Sequence, residues 1–178
     1  MTIAIKPTAS GSTIEQNGST ILTVDGSGNI TPSNSMYPKV PAFRAYLNAD
    51  QSITSATITK VQFDSESFDT TSDYDNSTNY RYTPSVAGYY LVTTNMRSEG
   101  SSLTLFGVYI YKNGSVYVLS NLDATSSSTA HLTGSALVYM NGSSDYLEIY
   151  GRIDGTSPKF GGNSTGTNTT FQAHLVSV

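Results

Sequence analysis

Apolar and polar residues alternate with a period of two along most of this chain, the pattern of strands that bury one face. Ile3 and Ile5 alternate with polar neighbours ahead of a loop expected over 7–12. The runs 21–24 and 29–31 flank Asp25-Gly26-Ser27-Gly28, and Asp-Gly between short apolar runs predicts a hairpin. Further strands are expected at 42–47, 58–63, 103–111, 116–119, 132–140, 146–150 and 171–175. Polar loops are expected at 48–57, 120–129 and 154–169, and a turn at 98–101. Asn113-Gly114 is the strongest short hairpin signal, and Asn141 to Asp145 makes another turn. No stretch has a helical period, so the chain is expected to be all-β.

Two stretches say more. From Tyr74 to Val92, Asp75, Asn76 and Ser77 supply turn chemistry, and Tyr80 and Tyr82 alternate about Arg81 as a strand. Pro84 ends that strand for want of a donor, Gly88 allows a tight turn or close backbone approach, and Tyr90-x-Val92-x-Thr94 opens the next strand. From Leu103 to Tyr111 both faces of the strand are apolar, which in an antiparallel sheet means that both are covered. One face is expected to meet the core and the other a neighbouring chain.

Residues 1–35 hold too few apolar side chains for a core, so this segment is expected to pack on something else. Pro32, Pro38 and Pro41 mark a connector. The expected division is an attachment or oligomerisation segment at 1–37 and a β domain at 38–178.

Composition narrows the function. Of 178 residues 12% are charged, and the net charge is −4 without any Lys/Arg cluster, which argues against a nucleic-acid partner. No apolar run reaches membrane-span length, so no membrane insertion is expected. The start MTIAIKPTASGS lacks the layout of a signal peptide, and there is no Cys, so synthesis in a reducing cytosol is expected. Asn-x-Ser/Thr sites, as at Asn76 and Asn163, then reflect composition rather than glycosylation.

The order Tyr74-Asp75, Thr78, Tyr82-Thr83-Pro84 and Gly88-x-Tyr90-x-Val92 resembles the signature of the complement-type globular head, in the complement and tumour-necrosis-factor jelly-roll superfamily. Asn79 stands where that family usually has Gly, and Asn tolerates the left-handed conformation next best. Phe43-x-Ala45, Lys112-Asn113-Gly114, Asp145 and the closing Phe171-x-Ala173-x-Leu175 extend the resemblance over about residues 41–178. It implies an antiparallel jelly-roll sandwich with a small N-terminal β appendage, and a homotrimer. Phe43, Tyr46, Phe106, Val108, Tyr109, Ile110, Tyr111, Phe171 and Leu175 are the candidates for its core or trimer interface. No collagen-like tract precedes the head.

The segment GSTILTVDGSGNIT resembles segments ahead of the tip domains of phage tail and fibre proteins. With the head, it implies a short virion fibre assembled in the host cytoplasm. Residues 1–37 would bind another virion protein, and the head a host cell-surface glycan or protein. A capsid-decorating protein without a receptor, and a secreted complement-head-like adhesion module, are the alternatives.

Catalysis finds little support. His131 and His174 lie in no recognisable triad spacing, and there is no phosphate loop or paired-carboxylate motif. No enzyme and no cofactor is expected. Asp64, Glu66, Asp69, Asp73 and Asp75 cluster in sequence and Ca²⁺ favours such ligands, but turn and cap roles suit their spacing better, so no metal is assigned. If sugar binds, the long loops are the expected contact surface.

Overall fold

The computed structural model describes residues 3–9, 11–32, 40–123 and 126–178. The chain divides into two units, Met1–Val40 and Pro41–Val178. The described residues form antiparallel strands and no helix. The connector expected over 32–41 lies largely outside the described residues.

The first unit is a four-stranded meander in the order β1 (Ile3–Thr8), β2 (Gly11–Gln16), β3 (Ser19–Asp25), β4 (Ile30–Pro32). The β3–β4 hairpin closes at the expected Asp-Gly: the Asp25 carboxylate accepts from the backbone N–H of Ser27 and of Asn29, and from the Asn29 side chain. The loop expected over 7–12 is shorter, because Pro7 pairs with Ser12 and Thr8 with Gly11. Proline is tolerated there because β1 is an edge strand.

The second unit runs from β5 (Ala42–Tyr46) to β15 (Thr170–Ser177), an antiparallel jelly roll wrapped round one core. Its axis is β11 (Ala87–Lys112), 26 residues long. The first half of β11 lies between β13 (Thr129–Asn141) and β15, with β5 and β8 (Ser65–Asp69) beyond β15. Its second half lies between β12 (Ser115–Asp123) and β14 (Leu147–Phe160). The outer edge of β14 takes β6 (Gln51–Ser52), β7 (Thr59–Lys60) and β10 (Arg81–Tyr82), and β9 (Tyr74–Asp75) pairs with β10.

The turn expected at 98–101 does not reverse the chain. The strand continues through it with register shifts between Glu99 and Leu105, and Ser102 takes φ 50°. Ser, Glu and Gly serve a bulge as readily as a turn, and this bulge carries β11 from one set of partners to the other. The expected strand 58–63 is a strand only at Thr59–Lys60, although the Val61 N–H still donates to the Ile149 carbonyl (2.9 Å) and Val61 and Phe63 keep the alternation and are fully buried. The loop expected at 154–169 begins only after Phe160, which is buried and paired with Gln51. The loop expected at 48–57 contains β6, and that expected at 120–129 is narrowed by β12 and β13, with 124 and 125 outside the described residues. Strand β8 had no counterpart among the expected elements, because its apolar Phe68 faces solvent.

The stretch 74–92 organises the core. Phe43 stacks on Tyr74 (centroids 4.9 Å) and Tyr82 (4.2 Å) and meets Phe171 edge-on at 4.8 Å, and Tyr82 meets Tyr90 at 5.9 Å. Buried hydroxyls need partners. The Tyr74 hydroxyl donates to the Phe63 carbonyl (3.1 Å) and that of Tyr90 to the Val86 carbonyl (2.8 Å). Burial pushes the Tyr90 hydroxyl up to about 12, and those of Tyr74 and Tyr82 upward as well. Tyr80 is not a strand residue. It takes the left-handed conformation (φ 49°) that Asn79 was expected to adopt, because the Asp75 carboxylate gathers the N–H groups of Ser77, Thr78 and Asn79 and places the reversal one residue later. Gly88 makes the close approach, since a Cβ there would stand 2.4 Å from the Ser177 carbonyl oxygen.

Candidate interaction surfaces

In β11 and β13 the inward side chains Tyr90, Val92, Val138 and Met140 are fully buried, so their neighbours must point outward. Those neighbours are apolar too. Tyr89 lies directly across from Tyr139, and Leu91 from Leu137. The two tyrosine rings meet at 5.4 Å and 62°. Tyr139 is 48% and Leu137 55% exposed, and on the neighbouring β15 Val176 is exposed as well. From β12 the Tyr117 hydroxyl donates to the Leu137 carbonyl, so this ring stands at the edge of the same face. Further along, the face turns polar through Thr93, Asn95, Arg97 and His131. An outward apolar patch beside a polar margin is the composition of an interaction surface.

A second outward face belongs to the other half of β11. Tyr109 lies across from Tyr150, and Tyr111 stacks on Tyr150 with centroids 4.0 Å apart. The Lys60 ammonium sits 5.9 Å from the Tyr150 ring and pairs with the buried Glu148 carboxylate. Burial raises the Tyr111 and Tyr150 hydroxyls, with the Glu148 charge adding to it. The Arg152 guanidinium is held charged by Asp154 at 2.8 Å. These tyrosines are half-buried because their own sheet already covers them in part.

Of the residues singled out from the sequence, Phe43, Phe106, Val108, Ile110 and Phe171 are core and offer no surface. Leu175 is partly buried against that core. Tyr46 is half-buried, its ring beneath Gly166. Tyr109 and Tyr111 alone of the set line an outward face, the aromatic one just described. Sequence reasoning passed over Tyr89, Leu91, Leu137 and Tyr139, though the run Tyr89-Tyr90-Leu91-Val92 is as apolar on both faces as 103–111 is.

The four aspartates of the acidic cluster accept from backbone N–H groups. Asp69 accepts from the N–H of Thr71, Ser72 and Tyr74, Asp73 from Ser85, and Asp64 from Asn48. Hydrogen bonds from Ser77, Thr78 and Asn79 hold the Asp75 carboxyl far below its ordinary range. His131 and His174 are both exposed, on β13 and β15.

Structures of the same fold come from three directions. The chain is similar to the globular domain of zebrafish complement 1qA protein (TM-score 0.56, 19% identity, 77% of this chain and 97% of that one). It is similar to murine APRIL (TM-score 0.59, 10% identity, 78% and 100%) and to PRD1 vertex protein P5 (TM-score 0.57, 16% identity, 79% and 100%). No protein-family model and no curated protein sequence matches. The fold is therefore the complement and tumour-necrosis-factor jelly roll, over more than three quarters of the chain.

Proposed function

We propose that this protein is a virion structural protein, a short fibre whose jelly-roll head forms a homotrimer and meets the host surface. The observation that carries the trimer is the outward face of Tyr89, Leu91, Leu137 and Tyr139, four large side chains that a lone head leaves in water. Burying two Tyr and two Leu side chains contributes several kcal/mol per contact at about 25 cal/mol per Å². Cyclic symmetry lets the same patch serve in every subunit. The aromatic face of Tyr109, Tyr111 and Tyr150 is then a second patch, less exposed and charge-flanked.

The virion assignment draws on the likeness to a vertex protein and on the N-terminal sheet, whose residues 1–37 join the head to another virion protein. Recognition falls to the loops and outer faces of the head, which bind a glycan or protein of the host cell. This role involves no reaction and no cofactor. Purified protein added to host cells before infection should occupy the receptor and slow adsorption of the virus. Unchanged adsorption at saturating protein, with antibody showing the chain on the particle surface, would leave a decorating role instead.

A further inference from the structure

The first unit has a property that the virion role does not use. Its register puts Ile3 and Ile5 of β1, Ile14 of β2, Leu22 and Val24 of β3 and Ile30 of β4 on one face. The opposite face carries Lys6, Thr13, Glu15, Thr23 and Asp25, with Lys6 and Glu15 in an ion pair at 2.5 Å. Apolar side chains are thus concentrated on one face, where Ser12 and Gln16 lie at its margins, as in a sheet built to bury one side. Yet no described residue of Met1–Val40 is buried, and Ile5 is 71% exposed.

We propose that this apolar face is covered by the same face of other copies of the chain, so that the N-terminal sheets pack together about the symmetry axis of the fibre. The proposal rests on the homotrimer reading of the head. Four strands about 4.8 Å apart and about 20 Å long give a face of no more than about 400 Å². A separate protein partner needs roughly 800 Å² on each side, about twice what this face offers. A lipid surface is disfavoured because the open edges of β1 and β4 would strand backbone donors and acceptors in hydrocarbon. A small apolar face is enough when the partner is already held nearby, and a trimeric head supplies that local concentration. The polar face and the two edges remain for the virion partner.

The absence of Cys from the chain allows a clean test in the full-length protein. Ile5→Cys places one thiol on the apolar face and Thr13→Cys one on the polar face, and both are alkylated in the purified protein with no other component present. Packed sheets should make the Ile5→Cys thiol react on the order of tenfold more slowly than the Thr13→Cys thiol, with the difference abolished by denaturant. Equal rates, or a slower Thr13→Cys thiol, overturn the proposal. Light scattering on the same samples separates the two readings. A trimer with equal rates sinks the packed sheets and leaves the head trimer standing, whereas a monomer sinks both.

Discussion

The two units use the same period-two pattern and arrive at opposite results. In the head, alternation from many strands converges on one interior, where Phe43, Tyr74, Tyr82, Tyr90 and Phe171 pack ring against ring. In the N-terminal sheet alternation also gathers apolar side chains on one face, but a single layer cannot enclose them, and Ile3, Ile5 and Ile30 stay exposed. Patterning decides which face is apolar, and chain length decides whether the chain can cover that face itself.

The contrast predicts where substitutions cost most. Phe43→Ala removes the ring that three other aromatics touch, and should lower stability of the head by about 3–5 kcal/mol, read as a drop in denaturant midpoint at unchanged slope. A loss below 1 kcal/mol would mean that the core repacks freely. High pH should separate the units as well. In the fold, the neutral hydroxyls of Tyr74, Tyr82 and Tyr90 are favoured, so their contribution is complete below pH about 10. The share of Tyr90 is lost as pH rises towards about 12, and those of Tyr74 and Tyr82, which burial raises further, are lost above it. Melting of the head followed against pH should fall across that window. The N-terminal sheet contains no tyrosine among its described residues and contributes nothing to that fall.

Gly88→Ala should cost the head about 1–3 kcal/mol, because the new methyl meets the Ser177 carbonyl and the Leu175 side chain. Thermal melting checks this, and an unchanged midpoint would show that β15 can give way. The smallest effect belongs to the other unit. Ile5→Ser should leave head stability within about 0.5 kcal/mol, as for surface sites away from special features.

Much of this was legible beforehand, for reasons that differ by region. Tyr90, Val92 and Thr94 could be put on one face because strand alternation leaves no other choice. The Asp25 and Asn113-Gly114 hairpins follow from turn chemistry that is local to a few residues. The passage of β11 through Gly100 and Ser102 was not legible, since whether Ser-Glu-Gly-Ser turns or bulges depends on what β12 and β14 offer beyond it. The left-handed residue moved from Asn79 to Tyr80 because side-chain bonds to Asp75, not propensity, set the register of the turn. The outward apolar face was harder. A doubly apolar strand announces a second contact, but which of the two such runs is more exposed depends on the packing of neighbouring strands. Tyr150 stacks on Tyr111 and Lys60 lies over Tyr150, whereas Leu137 and Tyr139 stay about half exposed.

The most direct test is the mass in solution of the full chain beside its Leu137→Asp variant. Leu137 is outward and exposed, so the change should spare the fold while placing a charge in each contact. The expected result is a particle of three times the 19.0 kDa chain mass for the natural sequence and a folded monomer for the variant. A monodisperse monomer for the natural sequence, or a trimer that Leu137→Asp leaves intact, would contradict assembly through this face.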